Sequence, residues 1–322
     1  MRKKILYIVC IAIILLLAVD LFVGNYLVTF AIARKESVNY DIVPKASIKT
    51  DAQRQMEENA KLVLEKADKW LEQAEMEQVS LTSEDGLTLQ ADYFENKDAT
   101  HNYAIVVHGY TGNRTNMRQL AAYYAEKGYH ILTPDLRAHG QSEGDYIGMG
   151  WLDRKDILKW IDYLLERDPD AVIVLHGVSM GGATVMMTSG EDLPENVKAI
   201  VDDCGYTSVW DIFSDEIKYL FHIPTFPVLN TASAFGVLRA GYSFREASAI
   251  EQVKRTRVPI FFTHGSEDTF VHTDMVYELY DACPTEKELY VAQGAGHGQA
   301  IYLDPQLYFD KIFAFLDRYM GE

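Results

Sequence analysis

Leu175-His176-Gly177-Val178-Ser179-Met180-Gly181-Gly182 stands directly behind the apolar run Ala171 to Leu175 and leads into a helix-like stretch, Gly181 to Ser189. It carries G-x-S-x-G between a strand and a helix. A sharp strand-to-helix turn strains the backbone at the serine, and a flanking side chain would clash. Both glycines are therefore required, and the turn thrusts the Ser179 hydroxyl out of the C-terminal edge of a sheet. A neutral serine hydroxyl is a weak nucleophile that needs a base oriented by an acid, and for this kind of turn the chain order is Ser, Asp/Glu, His. Asp268 follows Thr263-His264-Gly265-Ser266-Glu267, just past one apolar run, and His297 sits in Gly294-Ala295-Gly296-His297-Gly298, just past the next. Loops beyond strand C-termini are where open α/β sheets put their sites. Glu267 and the pair Asp202 and Asp203 are the substitutes for Asp268 as the acid.

Acyl transfer builds a negative oxygen in its transition state, and each backbone N–H aimed at it contributes about 2.7 to 4 kcal/mol. One donor is the N–H of Met180, the residue after the nucleophile. The other belongs to the loop after the run Tyr103 to Val107, where His108-Gly109-Tyr110-Thr111-Gly112 stands, and the N–H of Tyr110 is the candidate. His108 itself reads as a buried structural histidine. This chemistry calls for no metal and no cofactor. Cys10, Cys204 and Cys283 show no CxxC spacing and no Cys/His cluster, and Cys204 reads as structural beside Gly205.

Outward from the serine the pattern alternates. Short, nearly all-apolar runs at Tyr103 to Val107, Tyr129 to Thr133, Ala171 to Leu175, Val197 to Val201, Pro259 to Thr263 and Glu288 to Val291 suit strands covered on both faces. Helix-like stretches lie near Asn116 to Lys127, Trp151 to Glu166, Gly181 to Ser189, Thr273 to Ala282 and Asp304 to Tyr319. Ahead of them, Val79 to Ser83 and Leu87 to Phe94 flank Asp85-Gly86, a strong hairpin signal. The expectation is an α/β fold with a mostly parallel eight-stranded sheet and helices on both faces. The connection from Gly205 to Ser248 is too long for a plain crossover and holds nine aromatic side chains, so it reads as a helical insertion, or lid.

The whole chain has 322 residues, 48% hydrophobic and 24% charged, which excludes disorder and small disulfide scaffolds. Its net charge of −17 is made of +2 over residues 1–33 and −19 beyond them, so the body repels phosphate backbones and nucleic acid is a poor partner. Residues 1–33 stand apart: Arg2-Lys3-Lys4, an uncharged apolar run Ile5 to Val19, a lone Asp20, and further apolar residues to Ala33. Ala31-Ile32-Ala33 fits a signal-peptide cleavage site, whereas the bulky Leu21, Phe22, Val23, Tyr26, Leu27 and Phe30 suit an uncleaved anchor of the roughly 20 residues a span requires. The expected arrangement is an anchor apart from the fold, its short basic tail inside and the body outside the cytoplasm. Residues 34–78 then form a linker with a long amphipathic helix from Thr50 to Gln78, docked on the body as a spacer.

Within the body, Asp135-Leu136-Arg137-Ala138-His139-Gly140-Gln141-Ser142-Glu143-Gly144 resembles the D-x-R-x-H-G-x-S-x-G block of monoglyceride-lipase-like and serine-aminopeptidase-like hydrolases. Together with the serine turn, it makes the chain from about residue 79 to the end resemble the α/β-hydrolase superfamily, with a pattern near that of membrane-anchored bacterial, fluorophosphonate-binding serine hydrolases. The resemblance implies an α/β-hydrolase fold in which Ser179, Asp268 and His297 are the triad. Arg137, His139 and Ser142 read as a buried polar network beneath the site. The expected function is hydrolysis of a small-molecule carboxylic ester with an apolar acyl or aryl group, since an aromatic-lined pocket favours apolar ligands. A peptidase or acyltransferase would use the same triad, and an aminopeptidase would want carboxylates such as Asp211, Asp215, Glu216 or Glu246 for a substrate ammonium. An idle binding module at the membrane is the remaining reading. Nothing in the sequence fixes an oligomeric state.

Overall fold

The computed structural model describes residues 2–36, 51–98 and 100–320. Eight strands form one sheet: β1 (Glu75–Thr82), β2 (Thr88–Glu95), β3 (Asn102–Val107), β4 (His130–Pro134), β5 (Val172–Val178), β6 (Val197–Asp203), β7 (Ile260–Gly265) and β8 (Lys287–Ala292), in the order β1-β2-β4-β3-β5-β6-β7-β8. Only β2 runs against its neighbours; β4 through β8 pair in parallel. The apolar runs feed both faces, as strands buried on two sides must. Along β3, Tyr103, Ile105 and Val107 enter one core while Ala104 and Val106 enter the other.

Eleven α-helices accompany the sheet among the described residues: α1 (Arg2–Ile32), α2 (Asp51–Leu71), α3 (Arg118–Glu126), α4 (Asp153–Arg167), α5 (Met180–Ser189), α6 (Val209–Glu216), α7 (Val228–Ala240), α8 (Ala249–Val253), α9 (Asp274–Ala282), α10 (Ala300–Leu303) and α11 (Pro305–Leu316). Residues of α4, α5, α8 and α9 pack in the core on one face; those of α2, α3, α10 and α11 pack on the other. The stretch between β6 and β7 is helical, with α6, a π-turn at Ile217–Phe221 and α7.

The amphipathic helix stops earlier than its composition suggests. Instead of running to Gln78, α2 ends at Leu71, and Glu75 to Gln78 pair with β2 in the register Glu75↔Glu95 to Gln78↔Asp92. Eight ladder positions outweigh the helix propensity of Glu, Met and Gln. α2 lies against the body: Asn59 Nδ2 donates to the carbonyls of Tyr302 and Leu303 at 2.9 and 3.0 Å, and Trp70 packs on Phe94. The expected linker between residues 37 and 50, including Lys45 and Lys49, lies outside the described residues.

α1 is long and apolar enough to cross a membrane, and Ile5 to Val19 are exposed along their whole length. Its other end behaves differently from the expectation of an element apart from the fold. Leu27, Val28 and Ile32 are buried in the core, and α1 packs along α7.

Candidate active site

Ser179 sits between β5 and α5 with φ 58° and ψ −118°, outside the regions a residue with a Cβ prefers, a strain of order 1–3 kcal/mol. The surrounding structure holds it there: the Ser179 N–H donates to the Asp203 carbonyl at 2.7 Å, and Ala183 N–H donates to the Ser179 carbonyl at 2.9 Å. The two glycines of the motif permit the close approach. A Cβ on Gly177 would lie 2.0 Å from the Gly181 carbonyl oxygen, and one on Gly181 would lie 2.1 Å from that of Val107.

The loops after β7 and β8 bring two further side chains to the serine. His297 Nε2 lies 2.8 Å from Ser179 Oγ, and His297 Nδ1 lies 2.7 Å from Asp268 Oδ2. Asp268 Oδ1 accepts the backbone N–H groups of Phe270 and Val271, each at 2.9 Å, which fixes the carboxylate plane. The carboxyl is buried, which alone would raise its pKa; hydrogen bonds with His264 and His297 outweigh this and hold it well below the usual carboxylate range. Of the substitute acids, Asp202 receives the Gly205 N–H at 3.1 Å and Asp203 receives the Tyr308 hydroxyl at 2.8 Å, so neither reaches His297 as Asp268 does.

Tyr110 and Met180 line a cavity of about 340 Å³ together with Ser179. The Tyr110 loop is held from beneath by two histidines. His108 Nδ1 lies 2.8 Å from the Gly109 carbonyl while its Nε2 accepts the Leu136 N–H at 3.0 Å; His139 Nδ1 lies 2.9 Å from the Arg137 carbonyl while its Nε2 accepts the Thr111 N–H at 3.2 Å. Burial pushes His108 down to about 4 and His139 down to about 3, so both are neutral at pH 7 and can accept as well as donate. Below them Arg137 pairs with Asp156 and Asp85, and Ser142 Oγ donates to the Asp135 carbonyl while accepting the Gln90 N–H. Breaking such a buried network costs stability before it touches chemistry.

Two cavities meet at Ser179. The first, of about 340 Å³, is walled by α1, the segment after β6 and α7, and its lining is almost wholly apolar apart from Lys35 and Glu216. The second, of about 770 Å³, is more polar, and it contains His297, Asn116, Gln119 and Gln299. Of Asp211, Asp215, Glu216 and Glu246, Glu216 alone lines either of these cavities. Asp211 accepts from the Thr207 and Ser208 hydroxyls at the start of α6, and Glu246 accepts the Ser243 N–H.

Among the described residues one group of potential metal ligands gathers, Cys204, Asp268 and His297, their ligand atoms within 4.8 Å of one another. It suits a metal poorly. His297 has Asp268 on one nitrogen and Ser179 on the other, and burial, helped by the neighbouring carboxylates, pushes the Cys204 thiol far up, away from the thiolate a metal needs.

Sequence reasoning passed over two contributors. His264, buried at the end of β7, shares its Nε2 proton between the Val271 carbonyl at 2.8 Å and Asp268 Oδ2 at 3.2 Å, giving the carboxylate a second histidine. Its position four residues before Asp268 was the available signal. The other is the inner end of α1 with the residues just after it, where Leu27, Phe30, Ala31 and Lys35 line the apolar cavity.

Comparison with known proteins gives three kinds of likeness. A family model described as the alpha/beta hydrolase fold matches residues 105–222. The chain is 26% identical over 220 residues to the uncharacterized protein YqkD of Bacillus subtilis (strain 168), spanning 68% of this chain and 72% of that one. It is 23% identical over 246 residues to the thermostable monoacylglycerol lipase of Bacillus sp. (strain H-257), spanning 67% and 91%. Among solved structures, the Pyrococcus furiosus esterase Pf2001 superposes with a TM-score of 0.64 and 24% identity, covering 88% of this chain and 100% of that one.

Proposed function

We propose that this chain, which belongs to the α/β-hydrolase superfamily, is a serine hydrolase that cleaves carboxylic esters of apolar acyl or aryl groups through a covalent acyl-enzyme. The observation that carries the reading is the relay from Ser179 Oγ to His297 Nε2 at 2.8 Å and from His297 Nδ1 to Asp268 Oδ2 at 2.7 Å, mounted on the strained turn. Likeness to a monoacylglycerol lipase supports the ester class.

In this mechanism Ser179 Oγ attacks the ester carbonyl as His297 takes its proton. Asp268 stabilises the imidazolium, and the N–H groups of Tyr110 and Met180 receive the oxyanion. His297 then gives the proton to the leaving alkoxide. A water, deprotonated by His297, releases the acid and restores Ser179. Because the proton donor must face the leaving oxygen, the alcohol belongs in the cavity that His297 lines and the acyl group in the apolar cavity opposite. The segment with α6 and α7 then serves as a lid over the acyl group. α1 serves as the anchor, and its short basic tail Arg2-Lys3-Lys4 favours a body outside the cytoplasm.

Treatment of the full chain in detergent micelles with a fluorophosphonate tests this. The expected result is one added phosphonyl group on the peptide containing Ser179, and none in Ser179→Ala. Failure to react in the folded chain, or equal labelling of the variant, overturns it. Glu216 in the cavity wall gives an aminopeptidase reading its one foothold, and release of an aminoacyl-arylamide faster than a matching ester would favour that reading.

A further inference from the structure

We propose that the inner end of α1 and the residues just after it, Leu27 to Lys35, are a wall of the active site that sets acyl-chain length, so the membrane helix is part of the enzyme's specificity. The inference rests on the esterase reading above and follows from how this end of the helix is built.

A helix leaves its last four carbonyls without partners of its own, and here the catalytic body supplies two of them. The Ala31 carbonyl accepts the Tyr110 hydroxyl at 2.6 Å, and the Ile32 carbonyl accepts the Ile147 N–H at 2.7 Å. Beyond the last turn, Arg34 N–H donates to the Asp145 carbonyl at 2.8 Å, and its guanidinium donates to the carbonyls of Ser142 and Gly140 at 2.7 and 2.9 Å. Lys35 Nζ donates to the Tyr110 hydroxyl at 2.7 Å. The residue nominated for the oxyanion site is thus tied by its side chain to the end of the membrane helix.

The lateral contacts agree. Asp20 accepts the Thr231 hydroxyl at 2.5 Å, and Arg239 donates to Thr29 Oγ1 at 2.8 Å and to Asn25, so three polar side chains of α1 in this half each meet one on α7. Gly24 lets the helices touch, since a Cβ there would lie 2.6 Å from Thr231 Cγ2. Phe30 meets Phe221 edge-on at 5.6 Å. These contacts lock α1 against the segment that covers Ser179, leaving Leu27, Phe30 and Ala31 facing the cavity that takes the acyl group. Cleavage after Ala33 would remove α1 from that wall.

The test compares kcat/KM for p-nitrophenyl acetate, decanoate and tetradecanoate on the full chain in detergent micelles. Ala31→Trp fills the cavity and should lower the decanoate-to-acetate ratio at least tenfold. Phe30→Ala enlarges it and should raise the tetradecanoate-to-decanoate ratio, which keeps the test open if the tryptophan variant does not fold. Leu16→Trp, on the exposed stretch, should leave every ratio unchanged. An unaltered chain-length profile in both cavity variants overturns the inference. If the unsubstituted chain turns over no ester, the esterase reading itself falls, and this inference with it.

Discussion

The two sides of Ser179 are built by different physics. On one side stand the loops that end β3, β5, β7 and β8, held by buried hydrogen bonds: the His297 and Asp268 relay, the backbone N–H groups on Asp268, and the His108 and His139 supports. On the other stand α1, α6 and α7, which hydrogen bonds fasten along α1 but whose surface toward the serine is almost wholly apolar. Chemistry needs groups fixed to a few tenths of an ångström, which short loops on a buried sheet provide. Chain-length selection needs volume, which packed helices provide. Substitutions on the polar side should therefore lower turnover of all esters alike, and those on the apolar side should change the ranking among esters.

The largest expected effect lies on the polar side. Asp268→Asn leaves Oδ1 to accept the Phe270 and Val271 N–H groups but fails to hold the His297 tautomer and imidazolium, so kcat should fall about ten-thousandfold for every ester. Steady-state turnover of acetate and decanoate checks it. A fall confined to one ester would mean that the two sides are not separable. Next comes Gly181→Ala, whose added Cβ would sit 2.1 Å from the Val107 carbonyl. Overpacking of that kind costs about 1–3 kcal/mol, and thermal unfolding should register it as a lower Tm. An unchanged Tm would show that the turn can open without β3 moving.

These two positions also show why one side could be read from sequence and the other could not. The Ser179 turn, Asp268 and His297, which the fold brings together, each announce themselves within about ten residues, because strained turns demand glycine and sites follow strand ends. The strands were legible for the same local reason, as short apolar runs covered on both faces. The wall formed by α1 was hidden. Gly24, Leu27, Val28, Ala31 and Ile32 do fall at helix-face spacing, but the residues between them are apolar too, so no stripe stands out. His264 was obscured because its contact with Asp268 depends on how the chain turns after β7, and the end of α2 because pairing with β2 decides it.

Burial of polar groups on the chemical side carries a cost in pH range that the apolar wall does not. Burial pushes Asp202 up to about 8 and Asp153 up to about 7, and Asp202 Oδ2 has no hydrogen-bond partner among the described residues. Both carboxyls hold a proton in the folded protein that the unfolded chain has already released above its ordinary value near 3.9, so the folded state binds more protons and stability falls as pH rises. Unfolded histidines have lost their protons above about 6.5, so between 6.5 and 8 the decline is not offset by the buried His108 and His139. Asp202→Asn keeps an acceptor for the Gly205 N–H and should remove about one proton from the slope, about 1.4 kcal/mol per pH unit below pH 8. Denaturant midpoints at pH 6.5, 7.2 and 8 check it. A slope identical to that of the parent would mean that Asp202 is ionised in the fold.

The smallest effect is expected at the seam. Tyr110 has its backbone N–H proposed for the oxyanion on the chemical side, while on the other its hydroxyl donates to the Ala31 carbonyl and accepts from Lys35 Nζ, so Tyr110→Phe cuts the ties between the two. Lys35 is only partly buried and can turn its ammonium to water, so the loss is set by the neutral bond to Ala31, worth about 0.5–1.5 kcal/mol, or about two- to tenfold in kcat/KM if all of it reaches the transition state. Since the ring and the N–H remain, the loss should be greater for decanoate, which leans on α1, than for acetate, which does not reach it. Equal losses for the two esters would place the hydroxyl in the chemistry itself, and the tie to α1 would then be a fastening without a part in choosing substrates.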